Sequence, residues 1–123
     1  MNEGESTSGL RKDPVASIRR ESGVVVVALA GELDLYNAND VREALVGITG
    51  EEPPRLVVDL AGVTFIDSTA LGVLIEARSR MANRRAFLLA APGMETKRAL
   101  EISGLDKHFA VHDSVDQAIA AGL

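Results

Sequence analysis

No cysteine occurs among the 123 residues, which excludes disulfides, thiolate metal sites and thiol redox chemistry. Tryptophan is also missing, and three Phe and one Tyr are the whole aromatic complement. The core must therefore be built from Val, Leu, Ile and Ala. No segment approaches the roughly 20 apolar residues that a membrane-spanning helix needs. The N-terminal stretch MNEGESTSGLRKDP lacks the apolar run of a secretory signal, and a cytoplasmic protein that does not engage a membrane is expected. Basic charge is short as well. The formal net charge is −5 and no basic stripe is visible along the chain, so nucleic-acid binding is not expected.

What remains is a balance of 46% hydrophobic and 25% charged residues, that of a soluble globular protein. The length fits one domain, large enough to bury roughly two thirds of the surface of the unfolded chain. Residues 1–14 are polar, rich in Ser, Gly and Glu and without periodicity; they read as a disordered tail ending at Pro14, with the folded domain over 15–123.

From Val15 the pattern becomes regular. Val15–Glu21 alternates apolar and polar, Val24–Ala30 (VVVVALA) is apolar throughout, and Ser22-Gly23 between them reads as the turn of a β-hairpin. The second run has the composition of a strand buried on both faces. A helix follows, capped by Asn37 or Asn39, with Val41, Ala44, Leu45 and Ile48 on one face. Gly50 and Pro53-Pro54 end it. Leu56–Leu60 reads as a buried strand and Ser68 to about Met81 as a helix. Ala86–Ala91 reads as a strand, and Pro92 as the opening of a helix that stops at Gly104. A short strand near Phe109–His112 leads to a last helix capped by Asp113. The order β-β-α-β-α-β-α-β-α predicts an α/β domain with a mixed, mostly parallel sheet, an antiparallel hairpin strand at its edge and flanking helices.

Residues 63–75, VTFIDSTALGVLI, need a functional account. A strand is expected to end near Leu60, so a loop places Asp67-Ser68-Thr69 at the start of the next helix. Sites in such sheets lie at the carboxyl ends of strands, and the free N–H groups and dipole of a helix start favour negative charge. A phosphate on Ser68 fits that position. Asp67 and Ser68 are both ordinary helix caps, so a purely structural duty is equally consistent with the residues; a Ser68→Ala change would then cost about 0.5–2 kcal/mol. Gly72, about 1 kcal/mol worse than Ala in a helix, leaves room for a partner to come close.

The stretch FIDSTALGVL over 65–74 resembles the signature of the anti-sigma factor antagonist family, the STAS domains. Gly31-Glu32-Leu33-Asp34, Val57-Val58-Asp59-Leu60 and Ile102-Ser103-Gly104-Leu105 match in order and spacing, and the resemblance covers about residues 15–122. It implies a small α/β domain with a mixed sheet and a non-enzymatic role in transcription regulation. The unphosphorylated protein would bind an anti-sigma factor, itself a serine kinase, and so release a sigma factor. Phosphorylation at Ser68 would end that contact, and a serine phosphatase would reset it. Many members carry Ser-Gly after the phosphorylated serine, where this chain has Thr69-Ala70, which makes Thr69 the alternative acceptor. Asp34, Asp67, Ser68, Thr69, Leu71 and Gly72 are the expected partner-binding residues. An alternative reading is a STAS scaffold or accessory module in a stress-signalling or lipid-transport complex; the lack of a long extra domain favours the free-standing antagonist.

Other chemistries find little support. The nucleophile elbow G-x-S-x-G is absent around Ser68, and no Gly-rich phosphate loop precedes a helix. His108 and His112, spaced for a helix but placed in or beside a strand, read as solvated residues and not as a metal pair. Glu32, Asp34 and Asp67 could form an acidic corner, better suited to a basic partner surface than to a metal. Glu43, Glu76, Arg78 and Arg80 read as solvated helix faces. No cofactor and no metal are expected.

Overall fold

Ser22 and Gly23 both take positive φ, 52° and 77°, the geometry of a tight turn whose twist matches the strands it joins. In the computed structural model, which describes residues 13–121, that turn links β1 (Val15–Glu21) to β2 (Val24–Leu33) in antiparallel register. β3 (Arg55–Ile66), β4 (Phe87–Ala90) and β5 (Ala110–His112) then add in parallel, giving one five-stranded sheet in the order β1-β2-β3-β4-β5. Four α-helices stand among the described residues: α1 (Ala38–Gly50), α2 (Ser68–Arg80), α3 (Met94–Ser103) and α4 (Val115–Ala120). The element order and mixed sheet are those expected from the sequence. No described helix is long and apolar enough to cross a membrane.

The period of two in the central strands feeds two cores. Val25, Val27, Leu56, Val58, Phe87 and Leu89 face Val41 and Leu45 of α1, Leu71 and Leu74 of α2 and Leu100 of α3. Val24, Val26, Val57 and Leu88 turn the other way, under Ala118, Val115 and Ile119 of α4. Burial on both faces is why β2 and β3 carry unbroken apolar runs. Arg55 fastens α4 by donating from its guanidinium to the carbonyls of Ala118 and Ile119, the end of a helix that favours a cation.

Several expectations are corrected. β2 and β3 do not stop at Ala30 and Leu60; they stay paired through Leu33↔Ile66, across register shifts between Ala28/Ala30 and Gly31/Glu32. Beyond Asp59 the buried residues of β3 are Leu60, Val63 and Ile66, a spacing of three that alternation cannot predict. β1 is exposed along nearly its whole length instead of having one dry face, as an edge strand guarded by Arg19 and Arg20 can be. α3 starts at Met94 after the cap Gly93, leaving Pro92 outside the helix. Ser114, whose hydroxyl accepts from the Gln117 N–H, caps α4 in place of Asp113. Gly104 ends α3 as expected, with φ 79°. Pro14 belongs to the fold, since its carbonyl accepts from the Ala30 N–H at 2.9 Å; residues 1–12 of the expected tail lie outside the described residues.

Candidate functional site

The long pairing of β2 with β3 delivers two loops side by side at the carboxyl end of the sheet, and Asp67 joins them. Its N–H donates to the Leu33 carbonyl at 3.0 Å. Its Oδ1 accepts from the Ala70 N–H at 3.0 Å, capping α2, and its Oδ2 accepts from the Leu35 N–H at 3.1 Å. The loop so held is itself wound tightly. Asp34 Oδ1 accepts from the Tyr36 N–H, the Asn37 side chain accepts from the Asp34 N–H and donates to the Glu32 carbonyl, and Asn37 thereby shapes the start of α1 without capping it through its side chain. The two aspartates of the expected acidic corner thus turn oxygens toward main-chain N–H groups, and no group of acids and histidines among the described residues is placed to hold a metal.

Because Asp67 caps α2, Ser68 is the first residue inside the helix and is exposed. Thr69 and Gly72 are exposed on the following turn, and a methyl group added at Gly72 would meet nothing within 4 Å. The first turn of α2 contains no acidic residue, and the carboxylate of its cap, Asp67, meets its positive end. Leu71, expected among the partner-binding residues, is only 7% exposed and belongs to the main core. Its hydrophobicity is spent seating the helix, which leaves Ser68, Thr69 and Gly72 as the outward face.

Sequence reasoning missed an apolar rim at this end of the sheet. Leu35 and Tyr36 in the β2–α1 loop, Phe65 near the end of β3 and Met94 at the start of α3 are 63%, 81%, 48% and 79% exposed. All four stand at the carboxyl ends of adjacent strands or in the loops that follow them. Large apolar residues this exposed mark an interaction surface when they cluster. The signal available in the sequence was the single tyrosine of the chain, set in a loop beside Leu35 where no core could take either.

Comparison with known proteins places this geometry. The STAS domain family model matches residues 16–118. The anti-sigma-F factor antagonist RsfB of Mycobacterium tuberculosis is 30% identical over 103 residues, 84% of each chain. The anti-sigma-B factor antagonist of Listeria monocytogenes is 35% identical over 88 residues, 70% of this chain and 76% of its own. Among solved structures, an anti-sigma factor antagonist from Mycobacterium paratuberculosis superimposes with a TM-score of 0.81 at 30% identity, covering 89% of this chain and 94% of the other. With its family model spanning nearly the whole folded region and its fold shared with a 30% identical solved structure, the chain belongs to the STAS domain family, and anti-sigma factor antagonists are among its relatives.

Proposed function

We propose that this chain is an anti-sigma factor antagonist switched by phosphorylation of Ser68. In its unmodified form it binds an anti-sigma factor that is also a serine kinase, in the cytoplasm, and a sigma factor is freed. The kinase phosphorylates Ser68, the complex parts, and a serine phosphatase restores the binding form. The observation that carries this reading is the division of labour at the helix start: Asp67 holds the cap, so the exposed Ser68 hydroxyl is released from structural duty. The relatives' names support the regulatory role, and the apolar rim gives a partner something to bury.

A phosphate adds about −1.5 to −2 charges. The amino end of α2 tolerates it, but a partner packed over Ser68 would meet it beside the Asp67 carboxylate in a partly desolvated contact, where repulsion is poorly screened. The hydrolase alternative gains nothing from the fold. His108 contacts Arg78 at 3.3 Å, and Arg78 lies ten residues along α2 from Ser68, roughly 15 Å of helix rise. The protein acts by binding, without turnover of its own.

The test is site mapping by mass spectrometry after treatment with the kinase and ATP, with binding measured for variants. Ser68→Ala should bind the kinase persistently and escape modification, and Ser68→Glu should bind at least tenfold more weakly with the fold unchanged. Gly72→Ala should weaken binding while stabilising the free domain by about 0.5–1 kcal/mol. A phosphate found on Thr69, or equal binding by Ser68→Ala and Ser68→Glu, would move the switch elsewhere. A folded chain that captures no kinase would point to the scaffold role.

A further inference from the structure

The folded chain gathers five basic or imidazole side chains into one cleft, at the outer edge of the sheet and on different elements from the apolar rim. Arg78 comes from the last turn of α2, Arg84 and Arg85 from the short 3-10 turn before β4, His108 from the segment before β5 and His112 from β5 itself. The remaining walls are Leu88, Ala110 and Ala121, and the cleft measures about 370 Å³. No acidic residue lines it, in a chain whose acids outnumber its Lys and Arg by 18 to 13. Elsewhere Arg20, Arg42 and Arg80 each pair with a carboxylate. Among the described residues no carboxylate pairs with Arg78, Arg84 or Arg85; Arg78 instead contacts the imidazole of His108 at 3.3 Å, which stands edge-on to Phe109.

Such an arrangement leaves three guanidiniums on one concave surface with no counter-charge in its lining, and a positive field focused there favours an anion. Arg78 alone has a structural explanation, as a cation in the last turn of a helix; that explanation does not reach the other four side chains. The turn bearing Arg84 and Arg85 is fixed in place, with Ala86 buried and the Asn83 side chain accepting from the Arg85 N–H at 3.0 Å. The two guanidiniums are therefore presented from an ordered support.

We propose that this cleft binds a small phosphorylated molecule, with its phosphate on Arg84, Arg85 and Arg78 and its less polar part against Leu88, Ala110 and Ala121. Guanidinium forks match phosphate oxygens in paired hydrogen bonds, and the imidazoles of His108 and His112 add donors. Three permanent cations call for more negative charge than one carboxylate supplies, which favours a phosphate dianion or a diphosphate. The volume lies within the range of about 300–1,000 Å³ usual for small-ligand sites, and a concave cleft suits such a ligand better than a flat docking partner. This site is separate from Ser68 and does not depend on the switch.

The experiment uses the full chain without any kinase. Calorimetric titration with pyrophosphate, AMP and adenosine is combined with amide chemical-shift mapping. Pyrophosphate and AMP should bind, adenosine should not, and shifts should centre on residues 84–88 and 108–112. Arg84 and Arg85 are both exposed, so the double variant Arg84→Gln/Arg85→Gln should fold normally. It should bind AMP at least about tenfold more weakly, a loss in keeping with charge-assisted pairs, and Arg84→Lys/Arg85→Lys should recover part of the loss. In a separate assay with the kinase and ATP, the same Gln variant should still be phosphorylated at Ser68, which separates this proposal from the switch. Failure of both phosphates to bind at millimolar concentration would overturn it. So would shifts centred on residues 67–72, unchanged affinity in the Gln variant, or binding of a glutamate-rich peptide with none of pyrophosphate.

Discussion

The hydroxyl of Ser68 is exposed at the first position of α2, while the neighbouring carboxylate of Asp67 takes hydrogen bonds from Ala70 and Leu35. The cost of losing a cap therefore moves from the serine to the aspartate. Ser68→Ala is expected to change stability by less than about 0.5 kcal/mol, as exposed substitutions usually do. Asp67→Ala should cost about 1–3 kcal/mol, from a lost cap and an unlatched Leu35 loop. Asp67→Asn should fall between, since its amide oxygen can still accept from Ala70. Urea denaturation of the three variants checks the order, and a larger loss at Ser68 would return the structural duty to it. A second residue invites the reverse change. Thr96 in α3 is 1% exposed and its hydroxyl has no hydrogen-bond partner among the described residues. Burying an unpaired hydroxyl costs about 1–3 kcal/mol, so Thr96→Val should raise the unfolding midpoint; a drop would reveal a partner that the hydroxyl needs.

Helices α1 and α2 pack side by side over the sheet, and their outer surfaces are bridged by charge. Glu76 on α2 accepts from Arg42 on α1 at 3.0 Å and from Arg80, four residues along, at 2.9 Å. Hydrogen bonding to Arg42, then to Arg80, holds the Glu76 carboxyl below the ordinary glutamate value, and the same contact raises Arg42. Glu76 and Arg80 are thus more than the solvated face expected of them. A carboxyl whose folded pKa is lowered takes up its proton more readily when the chain is unfolded. Its contribution is complete above the ordinary glutamate range and is lost as the pH falls through the lower folded value. The groups are solvent-exposed, so the effect is small and screened by salt. Glu76→Gln should lower the midpoint of thermal unfolding by at most a few degrees at neutral pH and low salt. The difference should shrink in strong salt and vanish in acid. A difference that persisted in acid would trace to packing and not to charge.

At the scale of the whole molecule, the alternation of apolar runs with helical periods determined the element order, the parallel sheet and the position of the hairpin. These signals are local, and burial on two faces writes them directly into β2 and β3. The motif over 65–74 located Ser68 at a helix start for the same reason, since caps and turns are set by residues a few positions apart. Three matters were decided only by the tertiary structure. β3 runs on to Ile66 because register shifts against β2 change the spacing of buried residues from two to three, which no single-strand pattern encodes. Asp67 became the latch, and Leu71 a core residue, because the β2–α1 loop lies against the start of α2 and the sheet lies beneath it. The basic cleft joins side chains scattered from 78 to 112 along an acidic chain. Its charge is invisible to composition because parallel crossovers, and not sequence proximity, bring the start of β4 beside β5 and the end of α2. Local free energies select the elements; which of their exposed groups meet depends on how the long-range pairings close.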